Sequence, residues 1–229
     1  MNSSEFRKQA HLLVDWMADY YQNIEDYPVK PNIEPREIYD LIPDNPPEEK
    51  EAFEDIFRDF EQIIMPGVTH WQSPDFFGYF PANSSFPSIL AEMLTATLGL
   101  QCMKWETSPA ATELEEKMMN WLKKMSGLPN YFEGVIQDSA STATLCAILA
   151  ARELHSGFRI NQTGYNATEH YRVYCSTETH SSIEKAVRTA GIGSLNLNKV
   201  DVDTHFRLSP QALRTAVETD LKNNNSPLC

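Results

Sequence analysis

No window of this 229-residue sequence approaches the roughly 18 uninterrupted apolar residues that a membrane-spanning helix needs. The first residues, MNSSEFRKQAHLLVDW, carry charge where a signal peptide needs an apolar core, so the expected location is the cytoplasm, with no membrane partner. A basic surplus is missing too. The net charge of −13 argues against nucleic acid and anionic membrane alike, because both require a basic face. The four cysteines, Cys102, Cys146, Cys175 and Cys229, form no CxxC pair, so neither a zinc site nor a disulfide framework is expected; they are expected as buried thiols. Six histidines, at 11, 70, 155, 170, 180 and 205, show no ligand spacing, and no metal is expected. P-loop, GxSxG and HExxH motifs are absent, and Gly191-Ile192-Gly193 lacks the third glycine and the acidic residue of a dinucleotide fingerprint. What remains is small-molecule chemistry on an ordinary globular chain, 41% apolar and 22% charged, with material for one large domain or two small ones.

Hydrophobic spacing gives the organisation. Phe6, Ala10, Leu13, Met17, Tyr20 and Ile24 recur at three and four over residues 4–25, one amphipathic helix with Ser3 or Ser4 as its N-cap. Residues 27–47 hold six of the fourteen prolines and should run extended as an arm, since proline removes a donor and restricts its predecessor. Phe53, Ile56, Phe57, Phe60, Ile63 and Ile64 mark a second helix, ended by Pro66-Gly67. Two such helices joined by a proline-rich arm cannot bury both apolar faces by themselves, so residues 1–65 are expected to form a helical dimerisation arm, although packing on the rest of the same chain would satisfy the same pattern. Further helices are expected over 86–99 and 110–126.

From Gly134 the rhythm changes. The apolar pair Val135-Ile136 reads as a short strand, followed by a hydroxyl-rich turn and a helix over 142–154. Strands over 172–175 and 194–202 then alternate with helices over 181–190 and 209–222, which implies βαβ units and a parallel sheet. Residues 66–229 thus read as the first part of a larger α/β domain, whose next strand should begin near Ser226.

Three places can carry chemistry. The turn Gln137-Asp138-Ser139-Ala140-Ser141-Thr142 offers small side chains, hydroxyls and free N–H groups at a helix start, which suits a phosphate as well as it suits a plain N-cap. His180 follows a strand and precedes a helix, the rim at which open α/β folds bind ligands, although a histidine there also serves as a cap. The stretch Trp71 to Pro81 crowds aromatics without helical or strand period; it suits an apolar core or a wall around a flat ligand.

The segments HWQSPDFFGYFPANSSFPSILAEML at 70–94, SPAATELE at 108–115, GVIQDSASTATL at 134–145 and THSSIEKA at 179–186, taken in order, resemble group II pyridoxal-phosphate-dependent amino-acid decarboxylases, and most of all their aromatic-L-amino-acid branch. The resemblance runs from about residue 4 to the last residue. It implies a fold-type I α/β enzyme: an incomplete parallel-rich sheet with flanking helices, preceded by an N-terminal helical segment, working as a homodimer with pyridoxal 5'-phosphate. It also implies that Ala140 and Ser141 hold the phosphate and that His180 is the catalytic residue stacked on the cofactor ring. Trp71, Tyr79, Phe80, Pro81 and Ala82 would line the substrate pocket, with Gln101 and Met103 reaching the partner's site.

Two departures accompany it. Asp138 stands where the family commonly has glycine, and a carboxylate beside a phosphate is unfavourable unless it turns away to cap the helix; Ala82 stands where relatives often carry threonine. The family's cofactor lysine follows a histidine, and no His-Lys pair occurs here. Nor does the family's Asp-x-Ala-x segment, whose aspartate meets the ring nitrogen. The 229 residues are therefore expected to be an N-terminal portion, inactive alone. The expected activity is decarboxylation of an aromatic L-amino acid to its amine. The rivals are a glutamate or histidine decarboxylase, an aldehyde synthase of the same family, and a non-catalytic dimerisation module.

Overall fold

Asn2 starts the first helix, α1 (Ser3–Gln22). Its side-chain oxygen accepts from the N–H groups of Ser4 and Glu5 at 2.9 and 3.0 Å, and the Glu5 carboxylate accepts from the Asn2 N–H at 2.8 Å. The cap thus lies ahead of the expected Ser3 or Ser4, because an asparagine carbonyl reaches two orphan donors and leaves both serines free to be helical. The computed structural model describes residues 1–80, 82–165 and 169–229, which divide into two units, Met1–Leu100 and Gln101–Cys229.

In the first unit the proline-rich stretch is extended except for one helical turn, α2 (Glu37–Leu41). The next helix, α3 (Phe53–Asp59), continues through a widened turn at Phe60–Ile64, where the Met65 N–H donates five residues back to Phe60 O, and closes in a tight turn at Met65–Gly67. Gly67 allows a close approach there: a Cβ would meet Ile38 Cγ1 at 3.0 Å, so the Ile38 side chain would have to give way. Rings join α1 to α3. Trp16 meets Phe57 and Phe60 edge-on at 5.9 and 5.3 Å, and its indole N–H donates to Glu61 at 3.2 Å. Ser85 caps α4 (Phe86–Leu98), and Gly99, at φ +57°, ends it in the left-handed conformation that a Cβ disfavours.

The second unit opens with α5 (Pro109–Met125), followed by an extended segment to α6 (Ala140–His155) and the short α7 (Arg159–Thr163), which the sequence did not announce. Strand β1 (Tyr171–Ser176), helix α8 (Ser182–Thr189), strand β2 (Leu197–Val200), helix α9 (Pro210–Lys222) and strand β3 (Ser226–Pro227) complete it. The sheet is parallel in the order β2-β1-β3, with Val173 opposite Leu197 and Tyr171 opposite Ser226. Its core is aliphatic: Ile148, Ile160, Val173, Ala186, Val187, Ala190 and Ile192 pack around Tyr171. Arg152 of α6 donates to Ala190 O at 2.5 Å, satisfying a carbonyl beyond the end of α8 and fixing the two helices side by side.

One polar network ties the sheet to α9. Asp220 accepts from Tyr174 Oη at 2.8 Å and from Asn225 Nδ2 at 2.8 Å, while Arg172 Nε lies 3.2 Å away as an ion pair without hydrogen-bond alignment. Burial pushes the Asp220 carboxyl up, yet these donors and the Arg172 charge outweigh it and hold the group below its ordinary range. Burial first, and then the bond to Asp220, raise the Tyr174 phenol well above its ordinary value.

Two expectations fail here. Val135-Ile136 forms no strand among the described residues; the Ile136 N–H is taken by the Glu115 carboxylate at 2.9 Å, which leaves the pair extended and exposed. The cysteines are not buried thiols: Cys102, Cys146 and Cys229 are exposed and Cys175 is half-buried. For Cys146 the reason is helix phase, because Leu145, Ile148 and Leu149 take the core-facing side of α6.

Candidate functional site

Ser139 builds the start of α6. Its hydroxyl accepts from the Thr142 N–H at 3.2 Å, and its carbonyl accepts from Ala143. The Ala140 and Ser141 N–H groups meet no acceptor among the described residues. Two adjacent free donors at the positive end of a 16-residue helix, beside one methyl and one hydroxyl side chain, are a fitting donor set for a phosphate. Asp138 does not cap the helix, since Ser139 does; its side chain is exposed and no hydrogen bond holds it among the described residues.

His180 sits where the spacing put it, between β1 and α8. Its Nδ1 accepts the Ser182 N–H at 3.2 Å and lies 3.0 Å from Ser182 Oγ, which is itself buried. An Nδ1 that accepts a backbone N–H carries no proton, so the proton of the neutral ring belongs on Nε2. The imidazole is pinned by one nitrogen while the ring stays exposed. Ser141 and Ser182 line one cleft of about 170 Å³ between α6 and α8, together with Thr142, Leu145, Lys185 and Ala186. The hydroxyl turn and the residue that orients His180 therefore share a cavity, although the short strand expected ahead of the turn is absent.

Gln101 and Met103 lie on the irregular segment before α5. Gln101 O accepts from Thr107 Oγ1 at 2.6 Å, and the Met103 side chain is exposed.

The aromatic stretch belongs to the first unit. Trp71 stacks on Phe76 at 4.6 Å and on Tyr79 at 5.8 Å, so the segment is a stacked loop rather than an apolar core. Its tip is bare: Phe77 is 91%, Tyr79 88% and Phe80 99% exposed. Tyr79 holds φ +53°, a left-handed backbone that an aromatic residue adopts only under constraint. Gln72 supplies one constraint, its amide donating to Ala82 O at 2.6 Å and accepting from the Ser84 N–H at 3.3 Å. Ala82 enters through that carbonyl; Pro81 lies outside the described residues. Two parts of this loop were not singled out in the sequence, the Gln72 brace and the buried His70 at its root. Neither belongs to a spaced motif, and the partners of His70 lie on distant segments.

Residues 35–229 match the pyridoxal-dependent decarboxylase conserved domain. The aromatic-L-amino-acid decarboxylase of Mus musculus is 46% identical over 96% of this chain and 48% of its own length. Phenylacetaldehyde synthase of Arabidopsis thaliana is 43% identical over 97% of this chain and 46% of its own. The crystal structure of Catharanthus roseus tryptophan decarboxylase in complex with L-tryptophan superposes with a TM-score of 0.90 at 39% identity, covering 100% of this chain and 48% of that one. The chain spans about half the length of the curated relatives it matches.

Proposed function

The chain belongs to the pyridoxal-dependent decarboxylase family, and from that premise we propose that the whole protein removes the α-carboxylate of an aromatic L-amino acid to give the amine. Its fold is the α/β arrangement of fold-type I pyridoxal-phosphate enzymes. The observation that carries the reading is the juxtaposition at α6 and α8: two free N–H groups at a helix start, the second belonging to Ser141, which lines the same cleft as Ser182, the anchor of His180.

Pyridoxal phosphate supplies, when bound, an electron sink for the pair released as the bond to the carboxylate breaks. The N–H groups of Ala140 and Ser141 would hold its phosphate, aided by the α6 dipole. His180, whose Nδ1 is held by Ser182, would cover the cofactor ring, with the proton of its neutral form on Nε2. Trp71, Tyr79, Phe80, Pro81 and Ala82 enclose the flat side chain of the substrate and exclude water. Stacked rings suit that task because they offer area and lose few rotamers. Gln101 and Met103 complete the pocket of the partner subunit in a cytoplasmic homodimer, with residues 1–65 as the intersubunit clamp; the exposed apolar side chains of Phe6, Leu12, Ile56 and Ile64 support the clamp.

The test is product analysis on the full-length protein with pyridoxal phosphate and L-tyrosine, L-tryptophan or L-phenylalanine. Release of carbon dioxide with the matching amine is expected, and His180→Gln should lower turnover about a hundredfold or more while leaving assembly intact. Wild-type turnover in that variant would reduce His180 to a cap. A second reading, oxidative aldehyde synthesis with dioxygen as the two-electron acceptor, is favoured by the identity to phenylacetaldehyde synthase; aldehyde, ammonia and hydrogen peroxide in place of amine would decide for it.

A further inference from the structure

We propose that Tyr20 and His70 are positioning residues for substrate recognition, holding the root of the aromatic loop so that Trp71 presents a fixed face to the substrate side chain. The proposal rests on the reading of 71–82 as the substrate wall.

His70 is the most deeply buried side chain described in the first unit, 1% exposed, although it is polar. A buried imidazole needs a partner, and among the described residues one side chain bonds it: Tyr20 Oη lies 2.8 Å from Nδ1. Burial keeps His70 below its ordinary pKa and Tyr20 above its own, so the pair stays a neutral ring and a protonated phenol at neutral pH, with the hydroxyl donating. The imidazole completes a triangle of rings with two phenols, its centroid 5.7 Å from Tyr20 and 4.8 Å from Tyr27, which lie 5.3 Å from each other. Its main chain is bonded on both sides, the N–H to Val29 O and the carbonyl from the Ser73 N–H, each at 3.0 Å.

Tyr20 is itself held. Its ring stacks on Trp16 at 5.5 Å with a 10° interplanar angle, and Trp16 is wedged against Phe57 and Phe60 of the neighbouring helix. A continuous run of rings therefore leads from α3 through α1 to His70, and the residue after His70 is Trp71. The arrangement contrasts with the bare tip at Phe77, Tyr79 and Phe80. A loop fixed at its root keeps one ring plane constant for the substrate side chain. The hydroxyl of Tyr20 bonds His70, a residue with no role assigned at the cofactor. Its loss should weaken side-chain binding equally in ground state and transition state, which raises KM and leaves kcat.

The experiment uses the full-length protein with pyridoxal phosphate and the variants Tyr20→Phe, His70→Leu and His70→Asn. Asparagine keeps a polar atom near the place of Nδ1; leucine of similar size does not. Tyr20→Phe should raise KM for L-tyrosine and L-tryptophan about fivefold, the ratio one net hydrogen bond is worth, with kcat and cofactor affinity unchanged. His70→Asn should lie nearer wild type than His70→Leu. Acrylamide quenching of the Trp71 fluorescence, isolated by difference against Trp71→Phe, should rise in Tyr20→Phe. An unmoved KM, or a joint fall of kcat, cofactor affinity and melting temperature with KM unchanged, would overturn the positioning role. Should neither amino acid be turned over, the functional reading fails by itself, and unchanged Trp71 quenching in Tyr20→Phe then overturns the positioning role separately.

Discussion

Residues 1–100 and 101–229 are held together by different means. In the second unit Ile148, Ile160, Val173, Ala186, Val187, Ala190 and Ile192 close around a parallel sheet, an aliphatic core with its own buried polar network at Asp220. In the first unit the buried side chains among the described residues are Gln9, Ile24, His70 and Ser73, and the organising contacts are between half-buried rings. An aliphatic core stabilises by excluding water, without regard to direction, whereas ring pairs and hydrogen bonds fix angles while removing less area from water. The second unit is built to be stable and the first to be oriented.

Four perturbations of the full-length protein, followed by hydrogen exchange over each region, would break or sharpen that contrast. The largest effect is expected for Val187→Asp, which puts an unpaired charge at a position 0% exposed and should cost about 3–5 kcal/mol. Protection should be lost over 101–229; equal loss over 1–100 would show one cooperative structure and dissolve the comparison. Asp220→Asn should cost about 2 kcal/mol at pH 7. The folded carboxyl titrates below its ordinary value, so its stabilisation is complete above the unfolded pKa, about 3.9, and is lost as pH falls through the folded one. The gap between wild type and variant in urea midpoint should therefore narrow below about pH 4; a gap constant down to pH 2 would remove the carboxylate from the account.

Trp16→Leu keeps an apolar side chain but removes the ring pairs with Tyr20, Phe57 and Phe60 together with the indole bond to Glu61, and should cost at least about 1–2 kcal/mol, read over 1–100. No change there would mean that area and not ring geometry holds the first unit. Asn2→Ala removes a two-donor cap and should cost about 1 kcal/mol, visible as faster exchange in the first turns of α1 and little beyond.

Where a feature is local and periodic, the sequence carried it. The helices at 86–98, 109–125, 182–189 and 210–222 and the strand at 171–176 fall within a residue or two of the spacing. Val135-Ile136 misled because two apolar residues cannot say whether a neighbouring strand exists, and Glu115 claimed the N–H a ladder would have used. The Asn2 cap was missed because three consecutive cap-forming residues compete and only geometry picks one. At the candidate site the hydroxyl turn and His180 were legible, since each adjoins a detectable helix start. His70 was not: its significance depends on Tyr20, fifty residues away, and a lone histidine carries no period.

The widened turn at Phe60–Ile64 acts as a phase setting. One extra residue in a helical turn rotates everything after it by about 100°. Downstream of it lies Gly67, whose missing side chain is what lets Ile38 of the proline-rich arm sit against the chain. The arm is thus indexed by a single inserted residue. Deleting any one position in 60–64 would restore a regular helix and swing Gly67 away from Ile38, so this helix tolerates substitution far better than a change of length.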